Sequence, residues 1–174
     1  LETSLGVENT VMTVTPVDQV AASPAIFTNL MTSEYSPSTS GTVGEMLSFR
    51  VSGEGKGDEV VNGLIFLSPS TTRTDHVNSG VINLGAVSAT QSVYSAVHVI
   101  SKAGTSPTLD IVVKSSAASG FTSPTTRITH TRATDVTSEL KSTAGAITDA
   151  YWKVFCTLGG TSEEFDFIVS VGIK

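Results

Sequence analysis

The C-terminal end of the chain shows a strict alternation of apolar and polar positions. Phe165, Phe167, Val169, Val171 and Ile173 occupy every second position, and mostly polar residues lie between them. Successive side chains of a β-strand point to opposite faces of the sheet, so this pattern predicts a strand with one face directed to a core.

The same pattern recurs at three further places, residues 47–51, 93–100 and 109–113. Shorter apolar runs predict more strands, several of them covered on both faces, at residues 60–67, 81–87, 126–130 and 151–158. Segments rich in Gly, Ser and Pro predict turns between them, at residues 53–58, 101–107, 115–124 and 159–164. Strands punctuated by turns at roughly every 8–12 residues favour a β-sandwich or barrel.

Two stretches of the C-terminal half resemble each other. Residues 104–115 read GTSPTLDIVVKS, and residues 160–171 read GTSEEFDFIVSV. Each has a Gly-Thr-Ser segment, an apolar residue, Asp and then a strand, which predicts two hairpins of like design. Two such units facing each other are what a jelly roll requires. We therefore predict an all-β fold, an antiparallel two-sheet β-sandwich of jelly-roll type with at most one short helix.

The first 42 residues carry the weakest pattern. Ser23 followed by Pro24 is typical of a helix N-cap with Pro at the first helical position, so the sequence predicts a short helix reaching Met31. Residues 32–42 are rich in Ser and Thr and predict a loop, and residues 1–10 lack the pattern of a signal peptide. We divide the chain into an N-terminal arm, residues 1–42, and a β-sandwich domain, residues 43–174. The first segment fits an arm that packs on a neighbouring subunit and equally a frayed terminus.

Composition and charge narrow the classes of partner. Of the 174 residues, 39% are apolar, which is too many for a disordered chain. Sixteen acidic residues outnumber ten basic ones, and the net charge of −6 disfavours nucleic acid and anionic membranes as partners. The basic residues are scattered singly and form no patch along the sequence, as at Arg50, Lys56, Arg73, Lys102, Lys114 and Arg127.

The chain lacks the sequence motifs of the common catalytic sites. Nucleophilic hydrolysis needs a Ser or Cys near a His and a carboxylate, and no G-x-S-x-G segment occurs. His98 and His130 lie in predicted strands, His76 lies in a polar loop, and their spacing fits no helical zinc site. Cys156, the single cysteine, fits a small core residue. The sequence predicts no catalytic residue, no cofactor site and no metal site.

Three other features invite a function and have simpler explanations. The acidic pairs at residues 58–59 and 163–164 lie at turn edges, where carboxylates are common and solvated. The segment GEGKGD, residues 53–58, lacks the spacing of a phosphate-binding loop. Tyr151 and Trp152 could form a sugar-stacking platform, although aromatic residues in strands more often belong to a core or an interface.

A family resemblance extends over somewhat more than half of the chain, from residue 80 to residue 173. This part resembles a β-sandwich family found in structural proteins of tailed bacteriophages. The segments that carry the resemblance are Leu84-Gly85, Gly104-Thr105-Ser106-Pro107, Ser119-Gly120-Phe121 with Pro124 and Arg127, the I-T-D-x-Y-W segment of residues 147–152, and the closing V-S-V-G-I of residues 169–173.

The resemblance implies a virion structural protein without enzymatic activity. A protein facing the packaged genome would carry a basic arm, which this chain lacks, so we expect the outer surface of the phage particle. Among outer proteins we favour a capsid decoration (cement) protein, made in the host cytoplasm. Its partners would be the major capsid protein and further copies of itself, a trimer by analogy. The alternatives are a tail or fibre-associated module that binds host-surface carbohydrate and, third, an enzyme of unusual design.

Overall fold

The computed structural model describes residues 10–37, 49–55, 60–69 and 73–174. Every regular element in these ranges is a β-strand, which confirms the all-β prediction. The strands are β1 (Thr10–Val14), β2 (Pro24–Pro37), β3 (Phe49–Gly55), β4 (Val61–Leu67), β5 (Val77–Asn78), β6 (Ile82–Asn83), β7 (Ser92–Ser116), β8 (Thr125–Thr129), β9 (Thr137–Ala144) and β10 (Tyr151–Ile173). No helix in the described residues is long and apolar enough to span a membrane.

All strand pairs are antiparallel, and hydrogen bonds connect them into one sheet of order β1-β2-β4-β10-β7-β8. In addition, β3 pairs with β2, β9 pairs with β7, and the two short strands β5 and β6 pair with β10. The first strand of the path, β1, also contacts β9, so the sheet curls toward itself. This single connected sheet is compatible with a two-layer sandwich.

The two long strands, β7 and β10, form the centre of the fold. They pair from Tyr151↔Ser116 at one end to Ile173↔Val93 at the other. Most of the buried apolar residues in both halves of each strand belong to one core cluster, including Val97 and Val113 of β7. The strand pair therefore folds over, and its two halves cover the same core.

A second, smaller core lies on the opposite face of the sheet. Phe27 of β2, Ile65 of β4 and Ile168 of β10 pack there with Ala96 of β7, and all four side chains are buried. Both faces of the central strands are thus covered in this half of the molecule, which explains the near-continuous burial of residues 165–172.

The turns predicted at residues 101–107 and 159–164 are wrong, because β7 and β10 run through both segments. Gly104 (φ +102°) and Gly160 (φ +129°) adopt left-handed conformations, and so do the serines two residues after each, Ser106 and Ser162. Thr105 pairs directly with Thr161. The register shifts there are bulges, which bend a strand without reversing it. The two related stretches, residues 104–115 and 160–171, therefore lie in two paired antiparallel strands, β7 and β10, and do not form two hairpins.

The helix predicted from Ser23 to Met31 is also wrong. The segment belongs to β2, with Ala25 and Phe27 buried and Ile26 partly exposed, a period of two that pairing with β1 and β4 enforces. Pro24 stands at the first position of the strand, where its missing N–H is tolerated. Likewise, the loop predicted from residue 32 is strand as far as Pro37.

The predicted division between residues 42 and 43 lies outside the described residues. On its N-terminal side, β1 and β2 pair within the same sheet as the later strands. Residues 47–48 of the strand predicted at 47–51, and residues 56–58 of the turn predicted at 53–58, also lie outside the described residues. The rest of both segments belongs to β3. The polar strand β9, TSELKSTA, is absent from the sequence prediction because none of its residues is fully buried and it carries no apolar alternation.

Candidate functional site

Ser95, His130 and Glu139 form a hydrogen-bonded row that has the residue types of a hydrolase triad. Oγ of Ser95 lies 3.0 Å from Nε2 of His130, and Nδ1 of His130 lies 2.8 Å from Oε2 of Glu139. Because an ionised carboxylate only accepts hydrogen bonds, Nδ1 carries the proton and Nε2 of the neutral ring accepts from the serine hydroxyl. Three strand regions supply the row: Ser95 lies in β7, His130 follows β8, and Glu139 lies in β9.

Further donors surround Glu139 and hold it ionised. It accepts hydrogen bonds from the backbone N–H of Thr131 (2.9 Å) and from its hydroxyl (2.7 Å), and Nζ of Lys141 lies 3.2 Å from Oε1. Burial raises the pKa of this carboxyl, but the hydrogen bonds from Thr131, His130 and Lys141 outweigh burial and lower it to about 2. Burial also lowers the pKa of His130, so the ring stays neutral at pH 7.

The serine of this row is sealed inside the protein. Ser95 has an exposed fraction of 0%, and the His130 side chain is 2% exposed. An attacking hydroxyl must reach a substrate carbonyl at about 3 Å, and the fully buried hydroxyl of Ser95 does not meet this condition in the structure. The row therefore acts as a satisfied polar network that fixes β7, β8 and β9 to one another.

A second buried cluster joins Arg127 of β8, Ser115 of β7 and Asp149. Oδ2 of Asp149 accepts from Oγ of Ser115 at 2.7 Å and from the guanidinium of Arg127 at 3.0 Å, and Nε of Arg127 donates to the same serine oxygen. The hydrogen bond from Ser115, followed by the contact with Arg127, lowers the pKa of Asp149. The three side chains bind one another, which fits a structural role.

The other residues considered from the sequence lie apart from each other. Nδ1 of His76, an exposed residue, accepts the N–H of Leu158, and Nε2 of His98 lies 2.9 Å from Oγ1 of Thr13. Trp152 is fully buried and donates its indole N–H to the carbonyl of Gly85, which confirms a core role. Cys156 is a buried free thiol, which confirms the core prediction, and burial raises its pKa to about 12.

The acidic pair Glu163–Glu164 lies in an exposed ribbon formed by the middle parts of β7 and β10. We define the ribbon as residues 100–106 of β7 and 159–164 of β10. All seven residues of its β7 side are exposed, where a covered sheet would alternate. On the β10 side Glu164 is exposed and Glu163 is half-buried. The other acidic pair, residues 58–59, lies outside the described residues.

On the outer face of β7 and β10, two lysines share one aromatic ring. Lys114 pairs directly with Lys153 across the two strands. Their Nζ atoms lie 4.8 Å and 5.2 Å from the ring centroid of Phe155, and the ring of Phe121 lies 6.0 Å from the same centroid. We call Lys114, Lys153, Phe155 and Phe121 the basic-aromatic surface. All four residues are half-buried.

Sequence reasoning missed the basic-aromatic surface because its lysines are 39 positions apart along the chain. The expectation that the basic residues form no patch is therefore wrong for this pair. The signal that could have found it is the register of β7 and β10. The conformation of the loop that brings Phe121 onto Phe155 has no such signal, because it requires a positive φ at a phenylalanine.

No protein-family model matches the chain, and no curated protein is similar to it. The resemblance to structural proteins of tailed phages stays a prediction. Within the described residues, no group of three or more His, Cys, Asp or Glu side chains is arranged to hold a metal ion. The features that remain to be explained by a function are the ribbon and the basic-aromatic surface.

Proposed function

We propose that the chain is a non-enzymatic assembly protein that associates with further copies of itself in a larger particle. The observation that carries this proposal is the exposed ribbon. A two-stranded ribbon with both faces in water gains little from folding, since an isolated hairpin is marginal in stability. Here β7 and β10 nevertheless keep their pairing through it, from Ser101↔Asp166 to Thr108↔Gly159. A contact with another subunit would supply the cover that most of the ribbon lacks among the described residues.

The absence of enzymatic activity belongs to the same proposal. Among the described residues, the Ser95–His130–Glu139 row is the one arrangement with nucleophile, base and acid in hydrogen-bond contact, and its serine is closed to solvent. Catalysis requires positioned groups that touch a substrate. The row fits a role in stability better than a role in chemistry.

The setting that we propose is a virion. The sequence resemblance suggests a capsid decoration (cement) protein on the outer head surface of a tailed bacteriophage. Its partners would be the major capsid protein and other copies of the chain. The net charge of −6 supports an outer position over contact with the genome. This setting rests on the resemblance, whereas self-association rests on the ribbon.

Sedimentation velocity of the purified chain tests self-association. Over a range from about 1 to 100 µM we expect a concentration-dependent shift from monomer to oligomer. A chain that stays monomeric throughout the range contradicts the proposal. Quantitative mass spectrometry of intact particles tests the setting: several hundred copies, on the order of one for each capsid subunit, favour the head, and about six or twelve favour the tail.

A further inference from the structure

We propose that the basic-aromatic surface is the receptor for the acidic pair Glu163–Glu164 in the ribbon of a second copy, with Lys114 and Lys153 binding the two carboxylates. This inference rests on the proposed self-association and names its interface. It assigns each copy two different contact regions, one basic and one acidic.

The first argument is the cost of the lysine pair. Like charges at directly opposed positions of an antiparallel pair destabilise a sheet, and Lys114 and Lys153 occupy such positions. A purely structural solution would place a carboxylate opposite one of them. Elsewhere in β7 a charge is matched within the chain, since Arg132 binds Asp110 through two hydrogen bonds. Among the described residues, neither lysine has an ion-pair partner, although acidic residues outnumber basic ones by sixteen to ten.

The second argument is the conformation of Phe121. This residue has φ +56°, and a bulky side chain rarely adopts that conformation. The loop enforces it with a hydrogen bond from Phe121 N–H to the carbonyl of Ala118 and one from Oγ of Ser116 to the carbonyl of Thr122. The result is a half-buried ring placed beside Phe155. Strain of this kind is concentrated at binding sites.

The third argument is the chemistry of the combined surface. Two ammonium groups above an aromatic platform offer a carboxylate several N–H donors beside a low-dielectric surface, where ion pairs are stronger than in open water. Glu163 and Glu164 supply two carboxylates from consecutive positions of the ribbon, Glu164 exposed and Glu163 half-buried.

The contact joins different molecules. Glu164 pairs with Ala103, which lies eleven residues before Lys114 in β7, so the acidic pair and the lysines occupy different parts of the strand pair. Among the described residues, no ion pair joins Glu163 or Glu164 to either lysine of the same chain. A contact between unlike regions is heterologous, so it generates a closed ring or an open chain of copies.

Neutral substitutions on each side test the contact in the full chain. K114Q/K153Q removes two positive charges from the basic-aromatic surface, and E163Q/E164Q removes the two negative charges of the acidic pair. In sedimentation velocity, we expect each variant to self-associate at least about tenfold more weakly than the wild type, because each loses several charge-assisted contacts. K174E and D75K are the controls, since each lies at an exposed position and changes the net charge by the same amount as the corresponding double variant. Both controls should associate like the wild type.

Mixing the two variants distinguishes this contact from a symmetric one. The intact acidic pair of K114Q/K153Q can bind the intact basic-aromatic surface of E163Q/E164Q. No further copy can add to this heterodimer, because its remaining surface and its remaining acidic pair both carry substitutions. We expect a 1:1 mixture to form heterodimers and nothing larger, with an affinity close to that of one wild-type contact. The wild type should form larger species whose association weakens with added salt.

Several outcomes would overturn the inference. If K114Q/K153Q associates like the wild type while remaining folded by circular dichroism, the surface is not the interface, although self-association stands. If the wild type is monomeric, the proposed function fails together with the interface. If the monomer binds a sulfated or sialylated glycan and K114Q/K153Q does not, the surface belongs to carbohydrate recognition.

Discussion

Thr105 of β7 and Thr161 of β10 lie directly opposite each other, and the chain is locally symmetric about this pair. A Cβ placed on Gly104 would lie 2.5 Å from the carbonyl oxygen of Ser162, and one placed on Gly160 would lie 3.0 Å from that of Ser106. Each glycine is therefore packed against the serine of the other strand. The pairing of β7 with β10 at this point depends on both glycines.

Replacement of either glycine by alanine should destabilise the fold. In G104A and G160A the new methyl group meets backbone atoms, and both positions have a positive φ that alanine disfavours. We expect each variant to lose about 1–3 kcal/mol in urea-induced unfolding. G120A is the control, because a Cβ there meets nothing within 4 Å. Wild-type stability of G104A would show that the β7–β10 pair tolerates a side chain at residue 104.

The Ser95–His130–Glu139 row should make the protein sensitive to acid. The pKa of Glu139 is about 2 in the folded state, against 4.5 for an ordinary glutamate, so its contribution is complete above pH 4.5 and is lost as the pH falls toward 2. The pKa of His130 is also lowered by folding, so protonation below pH 6.5 favours the unfolded state. Unfolding free energies measured by urea at pH 8, 5.5 and 3 should decrease in that order.

E139Q should remove the lower part of this pH dependence. Because the Glu139 side chain is 26% exposed, solvent screening reduces its contribution to about 1–2 kcal/mol. The variant should be less stable than the wild type by that amount at pH 7 and should approach it at pH 3. An equal difference at both pH values would mean that the carboxylate is not the titrating group.

Arg127 and Asp149 should be coupled in a double-mutant cycle. R127M leaves a carboxylate that is only 14% exposed without its cation, and we expect a loss of about 2 kcal/mol. The double variant R127M/D149N should lose less than the sum of the two single variants. R132M, which breaks the more exposed Arg132–Asp110 pair, should destabilise the protein less than R127M does. Additive single effects would argue against the ion pair.

Cys156 should be unreactive in the folded protein. Its exposed fraction is 2% and its pKa is raised to about 12, so little thiolate forms and no reagent reaches it. At pH 8 we expect no modification by a thiol reagent such as Ellman's reagent in buffer and complete modification in urea above the unfolding midpoint. Rapid labelling under native conditions would place the thiol outside the core.

Period-two patterning was sufficient to predict both halves of β7 and the C-terminal half of β10, but not β1 or β2, which also contribute to a core. The apolar residues of β10 and both halves of β7 are buried as expected, because burial on one face leaves this pattern in the sequence. The exposed strand β9 has no such pattern. The Gly-Thr-Ser segments were misread as turns because Gly and Ser fit a bulge and a turn equally well locally, and only the partner strand decides.

The candidate surfaces could not be derived from the sequence for a related reason. Lys114 and Lys153 become neighbours through strand register, and register is set by the whole apolar pattern of two strands together with their bulges. The Ser95–His130–Glu139 row similarly joins two strands and the residue that follows a third. His130 was assigned to a strand by its position, which lies one residue beyond the end of β8.

The position of β10 at the centre of the sheet has a consequence for biosynthesis. β10 pairs with β4, β5, β6 and β7, so four strands await a partner that the ribosome makes after all of them. Until β10 emerges, the nascent chain exposes strand edges and the apolar face of β7, which are liabilities for aggregation. Pairing over such sequence distances is also intrinsically slow. We expect pairing of β10 to limit the rate at which the native protein appears and chaperones to bind the chain until then.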